Sequence, residues 1–430
     1  MIVVKTSRWI LGVVMLLSAC QVSLFEPYFQ AAERLYVAGN FEQAIQLYIK
    51  AIGQNSRRPE SYFGLAMAYY RLGYLEEAQL AFEKTLEQDP QNVFAYERLA
   101  AVNLDLGHAD TAIYLCRLAR IMDGKFVAAV NTLGHAYVEA GKIDSAEKAF
   151  LSAVNLCRDL NAQSRASANP LSYAADESEA FNGLGEVYIA KGLYTHALDY
   201  FGAAISLTPN WDTPWFNKAI TYETLTNFSA AQVAYRRTID LAPNNLVAHR
   251  SFARLLVRLR KEQDAIDLYR KALRVDPHDT YSYYGLADIC ERRGEYAEAA
   301  EAYKGILESS PDDPVGYLRA GSLEMKRDEF DEAAKMFQSA LDLRPGFSEA
   351  YNGLGEAYRA KGLVAQAQTA FEAAIKNDST LAVAFRNLGS VLLDQHREEE
   401  GIAMFHRAAS FGDPNAREFL RARGIAWEKK

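Results

Sequence analysis

The chain has 430 residues, half of them hydrophobic, with 12 prolines and a formal net charge of −8. That is material for two or three ordinary domains or for one long repeat array. A negative balance with no basic block excludes the electrostatic footprint of a nucleic-acid binder. The amino-terminal stretch stands apart: Lys5 and Arg8 precede an apolar run from Trp9 to Ala19. Such a run is short for a membrane span, which needs about 20 residues, but has the length of a secretory h-region. It ends Leu17-Ser18-Ala19-Cys20.

This tetrapeptide, an aliphatic residue, two small residues and a cysteine, resembles the lipobox of bacterial lipoproteins. The resemblance implies a signal peptide over residues 1–19, a diacylglycerol on the thiol of Cys20, and a lipidated tether over residues 20–24. Two or more acyl chains anchor stably, at about 0.8 kcal/mol per buried CH₂. In that family an Asp after the cysteine often marks retention in the inner membrane. Gln21 stands there instead, which implies the outer membrane, facing the periplasm.

Downstream, alanines recur at Ala44, Ala78, Ala112 and Ala146, then at Ala197, Ala231, Ala265, Ala299, Ala333 and Ala367. The spacing is constant but for one longer step, from Ala146 to Ala197. With this alanine as position 20, the first repeat starts at Phe25. Position 4 is then aromatic in most repeats (Tyr62, Tyr96, Phe181, Tyr351), position 8 small (Ala66, Gly134, Gly185, Gly355) and position 24 aromatic (Tyr48, Phe82, Phe150, Phe201, Phe371). Apolar residues at positions 4, 7, 8 and 11 fall on one face of a first helix, A, and those at 20, 24 and 27 on one face of a second, B. Small residues at 8 and 20 let the two helices approach, and the large ones fill the space beside the crossing. Gly at position 15, as in Gly73 and Gly294, suits the left-handed residue that ends helix A. Pro at position 32, as in Pro90 and Pro277, helps to end helix B.

A 34-residue period with this pattern resembles the tetratricopeptide repeat (TPR). The resemblance implies an all-α fold, a right-handed solenoid of eleven helix-turn-helix repeats with a C-terminal capping helix. Repeats 1–4 occupy residues 25–160 and repeats 5–11 residues 178–415, with a capping helix and tail over 416–430. Between them, residues 161–177 are polar, small and interrupted by Pro170, which predicts an inserted loop. It is either a looped-out insertion without consequence or a hinge or docking loop. Position 15 departs from Gly in Thr226, Arg260, Asp328 and His396, and position 4 of repeat 7 is His249. Cys116 and Cys290 fall on core positions and read as small buried hydrophobes; Cys157 has no assigned role.

No catalytic, cofactor or metal constellation emerges: there is no His-Glu-x-x-His and no Cys-x-x-Cys. Gly183-x-Gly185 and Gly353-x-Gly355 lie at packing positions of helix A. The expectation is a protein that is not an enzyme and needs no cofactor. Function then rests on the concave face that the resemblance assigns to helix A. There Asn131, Asn182 and Asn352 are placed to bond an extended peptide. Arg250, Arg254 and Arg258 share one helix face, Arg292 and Lys326 continue the row, and Tyr281 and Tyr284 lie beside it. This basic-aromatic row is the candidate partner site, suited to an acidic peptide segment or an anionic glycan. The whole resembles TPR lipoproteins of pilus biogenesis and envelope export. It implies a membrane-anchored protein-protein interaction scaffold that assists assembly of an envelope machine. The alternative is an accessory module that presents substrates to a cell-wall or polysaccharide enzyme.

Overall fold

The computed structural model describes residues 27–164 and 172–426. Cys20, the signal peptide and the tether lie outside them. Among the described residues there are 23 helices and no strand: eleven A–B pairs and one last helix, which is the all-helical repeat fold that the 34-residue period implies.

Position 24 supplies the wedge of each pair. Tyr48, Phe82, Phe150, Phe201, Phe337 and Phe371 are essentially fully buried, and losing such a ring costs about 3–5 kcal/mol. For most of these rings, though not for Phe82, the wedge fits because a helix beside it carries glycine. A Cβ on Gly134 would stand 2.6 Å from the Phe150 ring, and one on Gly183, in the next repeat, 2.3 Å from it. One aromatic side chain therefore fixes the spacing of its own pair and of the next. In repeat 3 the buried thiol of Cys116 takes the place of the ring.

Helix A ends in the left-handed conformation in every repeat. Glycine supplies it at, for example, Gly73 (φ 80°) and Gly294 (φ 73°), but Thr226, Arg260, Asp328 and His396 adopt it as well, at φ 57–61°. The amide of the following residue closes the same turn with or without glycine: Tyr74 N to Tyr69 O is 3.1 Å and Asn227 N to Tyr222 O is 2.9 Å. Packing of helix B onto helix A dictates the turn, and the four departures carry its strain.

The described chain divides into two compact units, one ending at Arg237 and one starting at Thr238. The boundary falls in helix B of repeat 6 (Phe228–Leu241), and not at the insertion after repeat 4. In the first unit, helix B of repeat 4 runs on as Ile143–Ser164 and helix A of repeat 5 begins early, at Ala174. The expected loop over 161–177 is thus too long at both ends; residues 165–171 lie outside the described ones. Burial of Cys157 and Leu160 extends the first helix, and Asn161 Oδ1 accepts from Tyr173 N at 3.0 Å where the second approaches. Repeats 4 and 5 pack directly, through Phe150 and Gly183.

In the second unit the last helix is Pro414–Ala422, which starts slightly earlier than the sequence reading put it. Asp413 caps it by accepting from Ala416 N at 2.6 Å, and Pro414 needs no partner at the first helical position. Leu420 is fully buried and Phe419 stacks on Phe405 at 3.9 Å between ring centroids. This helix covers the apolar face that repeat 11 leaves.

Candidate docking surface

The helix A faces of repeats 7 to 9 hold the basic-aromatic row. Leu246–Arg258 presents Arg250 half-buried, with Arg254 and Arg258 exposed one and two turns further on. Arg250 is committed: its Nε reaches Asp279 Oδ2 at 2.7 Å and its Nη2 bonds Oδ1. Asp279 is 3% exposed and also accepts from Ser282 Oγ at 2.5 Å. Removing Arg250 would strand a buried carboxylate, at a cost of about 3–5 kcal/mol. It is a structural ion-pair partner more than a spare cation.

Two further cations of the row are also met from within. Arg292 pairs with Glu262 at 3.1 Å and Lys326 with Glu291 at 2.5 Å. Burial pushes the Glu291 carboxyl up, but hydrogen bonds from Lys326 and Tyr303 outweigh it and hold the group below its ordinary range. Tyr284 donates to Asp313 Oδ2 at 2.6 Å; burial, then that bond, raises its hydroxyl pKa. Tyr281 is exposed, with the Arg250 guanidinium 5.7 Å from its ring centroid. The structure brings the expected residues together but supplies their counter-charges. Asp279, Glu262 and Glu291 meet three of the five positive charges of the row.

The asparagines are arranged differently from the sequence expectation. Asn182 and Asn352 are buried and bond neighbouring side chains. Asn182 Nδ2 donates to Glu186 Oε1 at 2.8 Å, and Asn217, one repeat on, donates to Asn182 Oδ1 at 3.0 Å and Glu186 Oε1 at 3.1 Å. In the second unit Asn352 Nδ2 donates to Glu356 Oε1 at 3.1 Å, and Asn387 to Asn352 Oδ1 at 3.0 Å and Glu356 Oε1 at 2.7 Å. Each cluster fixes one carboxylate oxygen with two amides. Asn131 Nδ2 donates to the backbone oxygen of Asp176 at 2.9 Å.

Reading the row by charge missed these clusters. A signal for them was present: Ser178 to Leu193 and Ser348 to Leu363 are the same sequence but for Phe181/Tyr351, Val187/Ala357 and Ile189/Arg359.

Family models described as tetratricopeptide repeat match residues 29–93, 81–114, 127–160, 178–210, 213–245, 250–314 and 318–382, well over half of the sequence. The chain belongs to the tetratricopeptide-repeat family. As such it is an interaction scaffold for proteins or peptides. No curated protein matches it. Among solved structures it is similar to yeast Tom70, at 15% identity over 92% of this chain and 95% of that one, with a TM-score of 0.37. It is also similar to YrrB, described as a TPR protein with an unusual peptide-binding site, at 23% identity over 45% of this chain and 98% of that one, TM-score 0.37. A third is MamA from Desulfovibrio magneticus RS-1, at 17% identity over 39% of this chain and 94% of that one, TM-score 0.36.

Cys116, Cys157 and Cys290 are buried, and burial raises the thiol pKa of Cys116 and Cys290. Cys157, unassigned from sequence, is a core residue of repeat 4. Among the described residues no group of three or more His, Cys, Asp or Glu is placed to hold a metal ion.

Proposed function

We propose that this protein is a lipid-anchored scaffold of the bacterial envelope, which gathers partner proteins during assembly of a pilus, secretion or polysaccharide-export machine. The observation that carries the reading is the juxtaposition of Leu17-Ser18-Ala19-Cys20, after a short apolar leader, with a repeat array over nearly all the remaining sequence. Among the described residues no helix is long and apolar enough to cross a membrane. The anchor in this reading is the acyl group on Cys20, and Gln21 favours the outer membrane, with the repeats in the periplasm. The helix A faces, with their fixed amide and carboxylate groups, supply the docking surface.

The test is Cys20→Ala in cells fed a tagged fatty acid, followed by fractionation. Label and membrane association are both lost if the reading holds; a mutant labelled and fractionating like the wild type overturns the anchor. Mild crosslinking in the envelope then recovers the partners. Components of one assembly machine support the scaffold, whereas cell-wall or polysaccharide enzymes alone would make it a substrate-presenting module.

A further inference from the structure

We propose that the chain carries two copies of one docking cleft, on repeats 4–6 and on repeats 9–11, and that each takes an extended, arginine-bearing segment of a partner protein. This deepens the scaffold reading and rests on it.

The duplication is specific. The stretches 178–193 and 348–363 differ at three positions and lie five whole repeats apart. Each puts Asn at position 5 and Glu at position 9, and the following repeat returns an Asn at position 6, Asn217 or Asn387. No other repeat has this triplet. The geometry is reproduced as well: both Asn–Asn bonds are 3.0 Å. In both, a position-24 ring lies under the glycine beside the Asn, with a Cβ on Gly183 standing 2.3 Å from Phe150 and one on Gly353 2.5 Å from Phe337.

In the second unit the cluster opens on a cleft of about 390 Å³ with Leu318, Met325 and Phe337 as its apolar part and Glu349, Asn352 and Glu356 as its polar part. Its charge is unbalanced. Lys326 on the rim is held by Glu291 at 2.5 Å. Glu356 Oε1 takes both amide donors, and no bond engages its Oε2 among the described residues. In the first unit Glu186 keeps the same anchoring, and Glu179 stands beside it. His135 bridges them loosely, with ring nitrogens 3.8 Å from each.

A second feature of the first cleft also asks for a donor. Asn131 is fully buried, its Nδ2 faces Glu179 Oε2 at 3.5 Å, and its Oδ1 meets no donor. Buried acceptors are normally satisfied; a guanidinium entering the cluster brings five N–H groups.

A carboxylate pinned through one oxygen is a preorganised acceptor, and a flat guanidinium fork matches it better than a point charge. The apolar wall suits the aliphatic stem of that side chain. The opposite walls differ: Asn131, His135 and Val138 in one cleft correspond to Leu318, Ser322 and Met325 in the other. Both therefore select the same anchor residue and different flanking residues.

The experiment uses the full chain and fluorescent pools of nine-residue peptides, degenerate except for a central Arg, Glu or Leu. The expected result is retention of the Arg pool at least tenfold above the Glu pool. Glu186→Gln and Glu356→Gln each remove about half of the capacity and together remove it all, with the helical spectrum unchanged. Glu179→Gln with Glu349→Gln, which leaves the carboxylate oxygens that bind the paired amides untouched, repeats the test if the first pair disturbs folding. Retention of the Arg pool by both double variants overturns the proposal. So does preference for the Glu pool, lost in Arg254→Glu with Arg258→Glu, which moves docking to the basic row. If no pool is retained but envelope crosslinking recovers a partner indifferent to these variants, the clefts fail and the scaffold stands. If neither pool nor partner is captured, both fail.

Discussion

Asn387 donates through Nδ2 to Oδ1 of Asn352, 3.0 Å away, and so ties helix A of repeat 11 to helix A of repeat 10. The same amide reaches Glu356 Oε1 at 2.7 Å. Asn387→Ala leaves two partly buried acceptors short of a donor, so stability falls by about 1–3 kcal/mol. Urea denaturation followed by circular dichroism reads this as a lower midpoint for the second unit. An unmoved midpoint would show that the bridge adds nothing to folding.

The left-handed turns give a prediction of opposite sign. Thr226 holds φ at 57° with an exposed, β-branched side chain. An L-residue there costs about 1–2 kcal/mol, part of which glycine returns as unfolded-chain entropy. Thr226→Gly should stabilise by roughly 0.5–1 kcal/mol. Asp328→Gly should gain less, because Asp tolerates this conformation. Equal or negative effects from both would mean that the turn carries no strain.

His249 occupies the position-4 site where most repeats have an aromatic ring. It is 2% exposed, its Nε2 lies 2.8 Å from Pro243 O and its Nδ1 has no partner. Burial lowers its pKa below the usual 6.5, the bond to Pro243 opposes this, and Lys271 adds to it. A folded-state pKa below the unfolded value means that the fold holds the neutral ring. The associated stability is present above pH 6.5 and is lost as the pH falls through that value toward the lower folded-state pKa. His249→Tyr should remove this component. The drop in melting temperature between pH 7.5 and pH 5.5, compared in wild type and variant, checks it; parallel drops would refute it.

Two glycines in helices should respond oppositely to alanine. At Gly353 a Cβ would lie 2.5 Å from Phe337 Cε1, whereas at Gly202 it would meet nothing within 4 Å. Gly353→Ala therefore overpacks the core, at about 1–3 kcal/mol. Gly202→Ala should stabilise by up to about 1 kcal/mol through helix propensity. Chemical denaturation of the two variants, side by side, decides whether close approach or propensity governs each site.

The helices were legible because the repeat writes the same packing instruction many times. A small residue at positions 8 and 20 and a ring at 24 leave one way to close each pair, and Cys116 in place of a ring does not blur it. The ends of the insertion were less legible: burial of Cys157 and Leu160 extends a helix through polar residues that composition assigns to a loop. The basic row was legible as a row, but its meaning was not. Asp279, Glu262 and Glu291, which pair with three of its cations, lie outside their partners' helices, and the Asp279 and Glu262 pairings are beyond what charge counting along one helix reveals. The asparagines were noticed singly; their pairing appears only once consecutive A helices lie side by side.

The hydrogen bond from Tyr173 N to Asn161 Oδ1, 3.0 Å long, has a practical side. The chain leaves helix B of repeat 4 and re-enters helix A of repeat 5 at neighbouring points, while the joint between those repeats is made elsewhere, by Phe150 against Gly183. Both of these contacts are made by residues outside the stretch 165–171. Doubling the length of such a segment costs only about 0.6 kcal/mol in closure entropy. A fluorescent protein or an affinity handle spliced between Ser164 and Ser172 should therefore leave the Phe150–Gly183 packing and both termini as they are, which chemical denaturation of the fusion checks.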